Sequence, residues 1–317
     1  MSKTALLFAG QGAQVVGMGQ DLADRIPTAR SWFERANAAL GYDLAKICFE
    51  GPETELTKTE NAQPGIFLLG WIAFQILKER APSLAFEAAA GLSLGEFTAL
   101  TAAGAMTFED GIRVVRERGR FMQEACEATR GGMAAIIGLD ETATRAVCNE
   151  CGVELANLNC PGQIVISGAT EQLTRACDLA RVKGAKRALP LPVAGAYHSR
   201  LMESAQPKLK AVLTTAAIRP PSVPVVSNVT ARPHGGPVDI AQRLVEQVTA
   251  SVRWEDSMHH LLSQGFTRFI ELGPGTALSG FMKRIEKNAQ MLNVADLPSL
   301  EATVQDLASH RPPDSPI

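Results

Sequence analysis

The sequence predicts an α/β protein. A large α/β-hydrolase-like domain with a parallel sheet and a nucleophile elbow is interrupted by a small ferredoxin-like unit. Two observations carry this. The first is Gly91-Leu92-Ser93-Leu94-Gly95, a G-x-S-x-G motif that follows the apolar run Ala88-Ala89-Ala90 and precedes a helix-like run from Glu96 to Ala103. Such a succession describes a sharp strand-to-helix corner, with the serine hydroxyl over a helix N-terminus. The second is the order strand, helix, strand, strand, helix, strand between Met133 and Val193, the β-α-β-β-α-β signature of a compact insert. Residues 1–128 and 197–317 then form the discontinuous large domain, and 129–196 the insert.

Composition narrows the class. A chain of 317 residues, 46% hydrophobic, can bury a sizeable core. A formal net charge of −2 argues against a general nucleic-acid binder. No apolar run reaches the length of a membrane span. Met1-Ser2-Lys3 runs directly into the apolar stretch Thr4 to Phe8, which is not the pattern of a signal or transit peptide. Six cysteines in so long a chain suggest a reducing compartment, and a cytoplasmic location is expected. Cys148 and Cys151 form a C-x-x-C with no second pair or nearby ligand histidine, so no metal site is expected there.

In chain order, Ala5 to Phe8 reads as a buried strand entering Gly10-Gln11-Gly12-Ala13-Gln14. This loop is no dinucleotide fingerprint, because Val15 breaks the glycine pattern. It reads as a loop presenting backbone donors, or as a plain turn. Residues 28–40 and 66–79 carry helical periodicity, the second with Pro64 near its start.

The helix expected from Glu109 to Cys126 holds an anomaly. Arg113, Glu117, Arg120 and Glu124 share a charged stripe, but Arg118 projects among Val114, Val115, Phe121, Met122 and Ala125. A buried arginine needs a partner. Spacing alone leaves two readings open: an ion pair with a buried carboxylate, or a guanidinium awaiting an anionic ligand.

In the insert, Met133–Ile137, Val153–Leu158, Ile164–Ser167 and Arg187–Val193 are expected strands, and Glu141–Cys151 and Glu171–Lys183 helices. Its basic group, Arg181, Lys183, Lys186 and Arg187, is either a solvated helix end or a contact for an acidic partner. Gly195-Ala196-Tyr197-His198-Ser199 returns the chain to the large domain. His198 has the most suggestive surroundings of the five histidines, with small residues before it and a helix after it marked by Leu201, Ala205, Leu209 and Val212. His259 and His260 read as surface or packing residues, His234 as part of a Pro/Gly loop, and His310 as tail. Val223–Ser227 and Phe269–Leu272 are expected strands, the latter entering Gly273-Pro274-Gly275 and a helix to Ile285. Helices are expected near 240–250 and 254–264. Met291–Val294 is a final strand, a short helix follows Asp296, and the Pro-rich end from Arg311 is expected to be disordered.

The ordered set F-A-G-Q-G-A-Q at 8–14, G-L-S-L-G-E-F at 91–97, R-G-R-F-M-Q at 118–123, N-x-N-x-P-G-Q at 157–163, G-A-Y-H-S at 195–199 and F-I-E-L-G-P-G at 269–275 strongly resembles the malonyl-CoA:acyl-carrier-protein transacylases. The similarity runs from the N-terminus to about Asp296. It implies transfer of a malonyl group from malonyl-CoA to the phosphopantetheine thiol of holo acyl carrier protein, through a malonyl-serine intermediate. Ser93 would be the nucleophile and His198 its base. Gln247 occupies the position whose carbonyl orients the base. The N–H groups of Gln11 and Leu94 would form the oxyanion hole, Arg118 would bind the malonyl carboxylate, and Asn159 would help line the pantetheine channel. No metal or other cofactor is implied; no membrane or nucleic-acid partner is expected, and the chain is expected to be a monomer serving fatty-acid or polyketide synthesis. Two positions depart from the family pattern. Leu92 replaces a frequent histidine. Tyr197 stands where phenylalanine is common, and its bulk beside the base leans toward malonyl over methylmalonyl groups.

A serine esterase or thioesterase shares the elbow, but it gives no reason for Arg118 and wants a triad acid. Asp110, Asp140 and Asp178 lie between Ser93 and His198, and none ends a strand. A non-enzymatic carrier-protein-binding scaffold would not need serine, base and arginine together. A nucleotide-binding oxidoreductase fails on the glycine pattern.

Overall fold

A strand buried on both faces needs no alternation, and the chain begins with one. In a computed structural model describing residues 3–309, β1 (Lys3–Phe8) is buried at every position after Lys3. β2 (Ala88–Gly91) is buried throughout. The insert contributes β3 (Gly131–Ile137), β4 (Glu154–Cys160), β5 (Gln163–Ala169) and β6 (Arg187–Pro190). β7 (Val225–Val226), β8 (Phe266–Leu272) and β9 (Gln290–Val294) complete the strands described. One sheet has the order β7-β2-β1-β8-β9 with every pair parallel. Helices cover both faces, as a parallel sheet requires.

The second sheet has the order β4-β5-β3-β6 and is antiparallel throughout. Helices Glu141–Cys151 and Thr170–Val182 pack on it around a separate core containing Ile136, Val147, Leu155, Ile166 and Ala176. The expected mixed α/β architecture, a parallel sheet plus a small antiparallel one, is the one observed. β4 is clipped by backbone to the segment before helix Trp254–Ser263: Leu158 N–H donates to Val252 O at 2.9 Å, and Val252 N–H to Ala156 O at 2.8 Å.

Several boundaries differ from expectation for physical reasons. The helix expected from residue 66 spans Thr59–Arg80, with Pro64 inside it. Its first turns are held by tertiary hydrogen bonds, Thr59 N–H to Gln123 Oε1 and Asn61 Nδ2 to Glu55 O, not by an apolar stripe. The helix expected over 240–250 is Pro237–Glu246. The carbonyls of Gln247 and Ala250 instead accept from a histidine ring. β6 stops at Pro190, and Leu191–Val193 leave the sheet to line a cavity. β7 keeps two of the five expected residues, because Ser227 turns back to bond with Arg232. The expectations for His310 and for the end from Arg311 lie outside the described residues. Among those described, no helix is long and apolar enough to cross a membrane.

Candidate active site

β1, β2 and β8 all deliver their C-terminal ends to one side of the sheet, where ligands of parallel sheets bind. β2 ends in the elbow. Ser93 has φ 53° and ψ −105°, a left-handed conformation that costs a non-glycine residue about 1–3 kcal/mol. The flanking glycines make room for it. A Cβ on Gly91 would lie 2.0 Å from the Gly95 carbonyl carbon, and one on Gly95 would lie 2.2 Å from Phe8 O. Asn228 holds the strained turn from outside: its Oδ1 accepts from Ser93 N–H at 2.6 Å and its Nδ2 donates to Gly91 O at 2.8 Å.

The Ser93 hydroxyl lies 2.8 Å from His198 Nε2. His198 Nδ1 lies 2.8 Å from Gln247 O and 3.1 Å from Ala250 O. Carbonyl oxygens only accept, so Nδ1 carries the proton and Nε2 presents its lone pair to the serine. Burial first, and then the charge of Arg118, push the His198 pKa down to about 4, so the ring is neutral at neutral pH. The candidate triad acids are occupied elsewhere: Asp140 caps its helix through Ala143 N–H, Asp178 pairs with Arg181, and Asp110 sits in the first turn of helix Phe108–Ala128.

Arg118 is 1% exposed. Its Nη1 donates to Gln63 Oε1 at 2.7 Å, and its Nη2 to Gln247 Oε1 at 2.9 Å and Ser93 Oγ at 3.1 Å. The guanidinium also lies 5.3 Å from the centre of the Phe97 ring. Its Nε has no hydrogen-bond partner. Among the described residues no carboxylate is ion-paired with it, and burial draws its pKa down to about 10. The partner expected by the structural reading of this arginine is therefore replaced by two neutral amides and the serine.

A cavity of about 580 Å³ opens over Ser93 and His198, with Gln11, Asn159, Met133 and Phe281 among its lining. Leu94 is the first residue of helix Leu94–Ala102, so its N–H has no intrahelical acceptor. The Gln11 loop is tied down by side chains: Gln63 Nε2 donates to Gln11 Oε1 at 3.2 Å, and Gln11 Nε2 to Tyr197 Oη at 3.4 Å. Asn159 is buried with Oδ1 unpartnered. Arg181 donates to Asp178 and to Ala188 O. Lys183, Lys186 and Arg187 are exposed. None of these four basic residues lines the cavity. Cys148 and Cys151 are buried free thiols.

Sequence reasoning missed Gln63, Asn228, Glu96 and His234. Glu96 carried a signal, being the acidic residue inside G-L-S-L-G-E-F. His234 carried none: its contact with Glu96 spans 138 residues of chain.

The family described as acyl transferase domain matches residues 5–310. A malonyl CoA-acyl carrier protein transacylase of Bacillus subtilis (strain 168) is 44% identical over 312 residues, covering 97% of this chain and 98% of the relative. The solved structure of such a transacylase from Coxiella burnetii superposes with a TM-score of 0.93 at 34% identity, covering 96% and 98% of the two chains. A holo type II PKS acyl-carrier protein in complex with its malonyl-transacylase contains a chain that superposes with a TM-score of 0.93 at 38% identity, covering 96% and 100%.

Proposed function

Because this chain belongs to the malonyl CoA-acyl carrier protein transacylase family, we propose that Ser93 takes a malonyl group from malonyl-CoA and passes it to the phosphopantetheine thiol of an acyl carrier protein. The observation that carries the residue assignment is Arg118: a buried cation with no carboxylate partner among the described residues, 3.1 Å from Ser93 Oγ.

The thioester enters with its free carboxylate directed at the guanidinium. His198 Nε2 takes the Ser93 proton, and Oγ attacks the thioester carbonyl. Charge develops on the carbonyl oxygen, where the N–H groups of Leu94 and Gln11 meet it; fixed donors of this kind are worth about 3 kcal/mol each. The tetrahedral intermediate collapses, the CoA sulfur takes the proton from His198 and leaves as the thiol, and a malonyl-serine ester remains. The carrier thiol then attacks the ester, giving its proton to His198 and restoring Ser93. Gln247 O and Ala250 O stabilise the imidazolium formed in each half, in place of a carboxylate. The reaction uses side chains and backbone of this chain alone. Asn159 faces the pantetheine arm, and Tyr197 crowds an α-substituent.

Residues 129–196 are an inserted unit within a large domain formed by 1–128 and 197–317. The exposed residues Lys183, Lys186 and Arg187, with Arg181, offer a basic contact to an acidic carrier protein. The chain acts as a cytoplasmic monomer in fatty-acid or polyketide synthesis.

Arg118→Ala tests the assignment. Rates of malonyl and acetyl loading are compared by mass. The variant is expected to lose malonyl loading by 100-fold or more, roughly the worth of a charge-assisted pair, while acetyl loading is retained or gained. An unchanged malonyl-over-acetyl preference would refute it.

A further inference from the structure

The buried carboxylate beneath the elbow has no part in the steps above. Glu96 is 0% exposed, in the first turn of the helix that Ser93 opens. Its Oε1 accepts from His234 Nε2 at 2.6 Å, and both side chains are fully buried. Its Oε2 accepts from Gln247 Nε2 at 2.7 Å and from Asn228 N–H at 3.0 Å. Glu96 does not line the cavity, and both of its oxygens are taken by these donors.

The Gln247 amide is held at both ends. Its oxygen accepts from Arg118 Nη2, and its nitrogen donates to Glu96 Oε2. A cation at the oxygen and an anion at the nitrogen both favour the same amide orientation and the same polarisation. The same residue's backbone carbonyl accepts from His198 Nδ1. We propose that Glu96, locked by His234, is a positioning residue: it acts as the relayed counter-ion of Arg118 through the Gln247 side chain, and so keeps the guanidinium charged but unpaired for an acidic acyl group.

The argument is one of competition. A buried guanidinium needs negative charge nearby. A direct Arg118–Glu96 pair would satisfy it, but would also occupy the fork that a substrate carboxylate must use. With one amide between the two, no carboxylate of the described residues closes on the guanidinium, whose Nε has no hydrogen-bond partner. His234 prevents Glu96 from swinging across, since its Nε2–H takes one carboxylate oxygen. Its Nδ1 has no hydrogen-bond partner, which suits a lone pair better than an N–H. Asp239 approaches that nitrogen only to 3.9 Å. Removing the Glu96 charge should therefore weaken selection of acidic acyl groups before it weakens the chemistry at Ser93.

This inference rests on the proposed role of Arg118, and the test separates the two. Glu96→Gln keeps the shape and removes the charge: its amide oxygen can still accept from Gln247 and Asn228 N–H, while its amide nitrogen donates to His234 in the other ring tautomer. His234→Leu removes the donor to Glu96, and His234→Gln supplies an amide donor in its place. Each full-length variant is loaded with malonyl-CoA and with acetyl-CoA, and kcat and KM are resolved for both, with Arg118→Ala run alongside. Glu96→Gln and His234→Leu are expected to lose malonyl kcat/KM by about 10-fold or more, chiefly through KM, while acetyl loading changes by less than about threefold. His234→Gln should restore most of the malonyl rate. Equal losses for both acyl groups would mean a merely structural role and would overturn the proposal, as would an unchanged malonyl preference in Glu96→Gln. Should Glu96→Gln fail to fold, the two His234 variants decide by the same criteria. If Arg118→Ala keeps its malonyl preference, the reading of Arg118 fails and this one with it. If Arg118→Ala loses that preference while the Glu96 and His234 variants keep it, only the relay fails.

Discussion

His198 is pressed from two sides. Burial disfavours its protonated form, and the Arg118 charge disfavours it further, bringing its pKa to about 4. The ring is thus a ready acceptor at neutral pH, with its Nδ1 proton fixed by two carbonyls. The sign of the linkage follows. The folded value lies below the unfolded value near 6.5, so the neutral ring's contribution to stability is complete above about pH 6.5 and is lost progressively as pH falls toward 4. Histidine ring NMR should show no titration of His198 between neutral pH and about pH 5. In Arg118→Ala the inflection should rise, while staying below the ordinary value because burial remains. A wild-type inflection near 6.5, or one that Arg118→Ala leaves in place, would contradict this. On the proposed roles, a substrate carboxylate on Arg118 would offset the same charge and strengthen His198 as a base when an acidic acyl group arrives.

The elbow is an element-scale device, because three segments must touch for Ser93 to stand where it does. β2 passes over the helix start at Gly91 and Gly95, and Gly95 packs on β1 at the Phe8 carbonyl. Gly95→Ala should therefore cost at least about 3 kcal/mol of stability in urea unfolding, because its clash is with backbone that cannot step aside. Gly104→Ala is the control: φ there is +79° with nothing within 4 Å, and the expected cost is about 1–2 kcal/mol from conformation alone. Equal losses would refute the close-packing account. These glycines were legible in the sequence because their spacing is local. So were β1 and β2, whose burial on both faces leaves continuous apolar runs, and the alternation of elements from β3 to β6. Helices Gln20–Arg25, Leu44–Glu50 and Glu53–Leu56 were not, being too short to show a period. Arg118 was visible as an arginine among apolar neighbours. Its contacts with Gln63 and Gln247 were not, because amides leave no periodic trace and Gln247, named only for its carbonyl, lies 129 residues away. His234 was read as a loop residue because only the folded chain brings it under Glu96.

At the scale of the molecule, the cavity lies on the seam between the two sheets. Gln11, Ser93 and His198 line it from the parallel-sheet side, and Met133, Asn157 and Asn159 from the antiparallel side. A volume of about 580 Å³ is of the size that holds a ligand arm. The Leu158–Val252 backbone clip ties the antiparallel side to the chain leading into helix Trp254–Ser263. On the proposed assignment both thiols reach Ser93 through this opening in turn, so the transferase must hold the ester long enough for the second to arrive. Intact-mass spectrometry after malonyl-CoA, followed by holo acyl carrier protein, reads that sequence directly. The account predicts a malonyl adduct on wild type, none on Ser93→Ala, and quantitative passage of the adduct to the carrier's phosphopantetheine thiol. An adduct that persists without Ser93, or one that is discharged to water and not to the carrier, would contradict it.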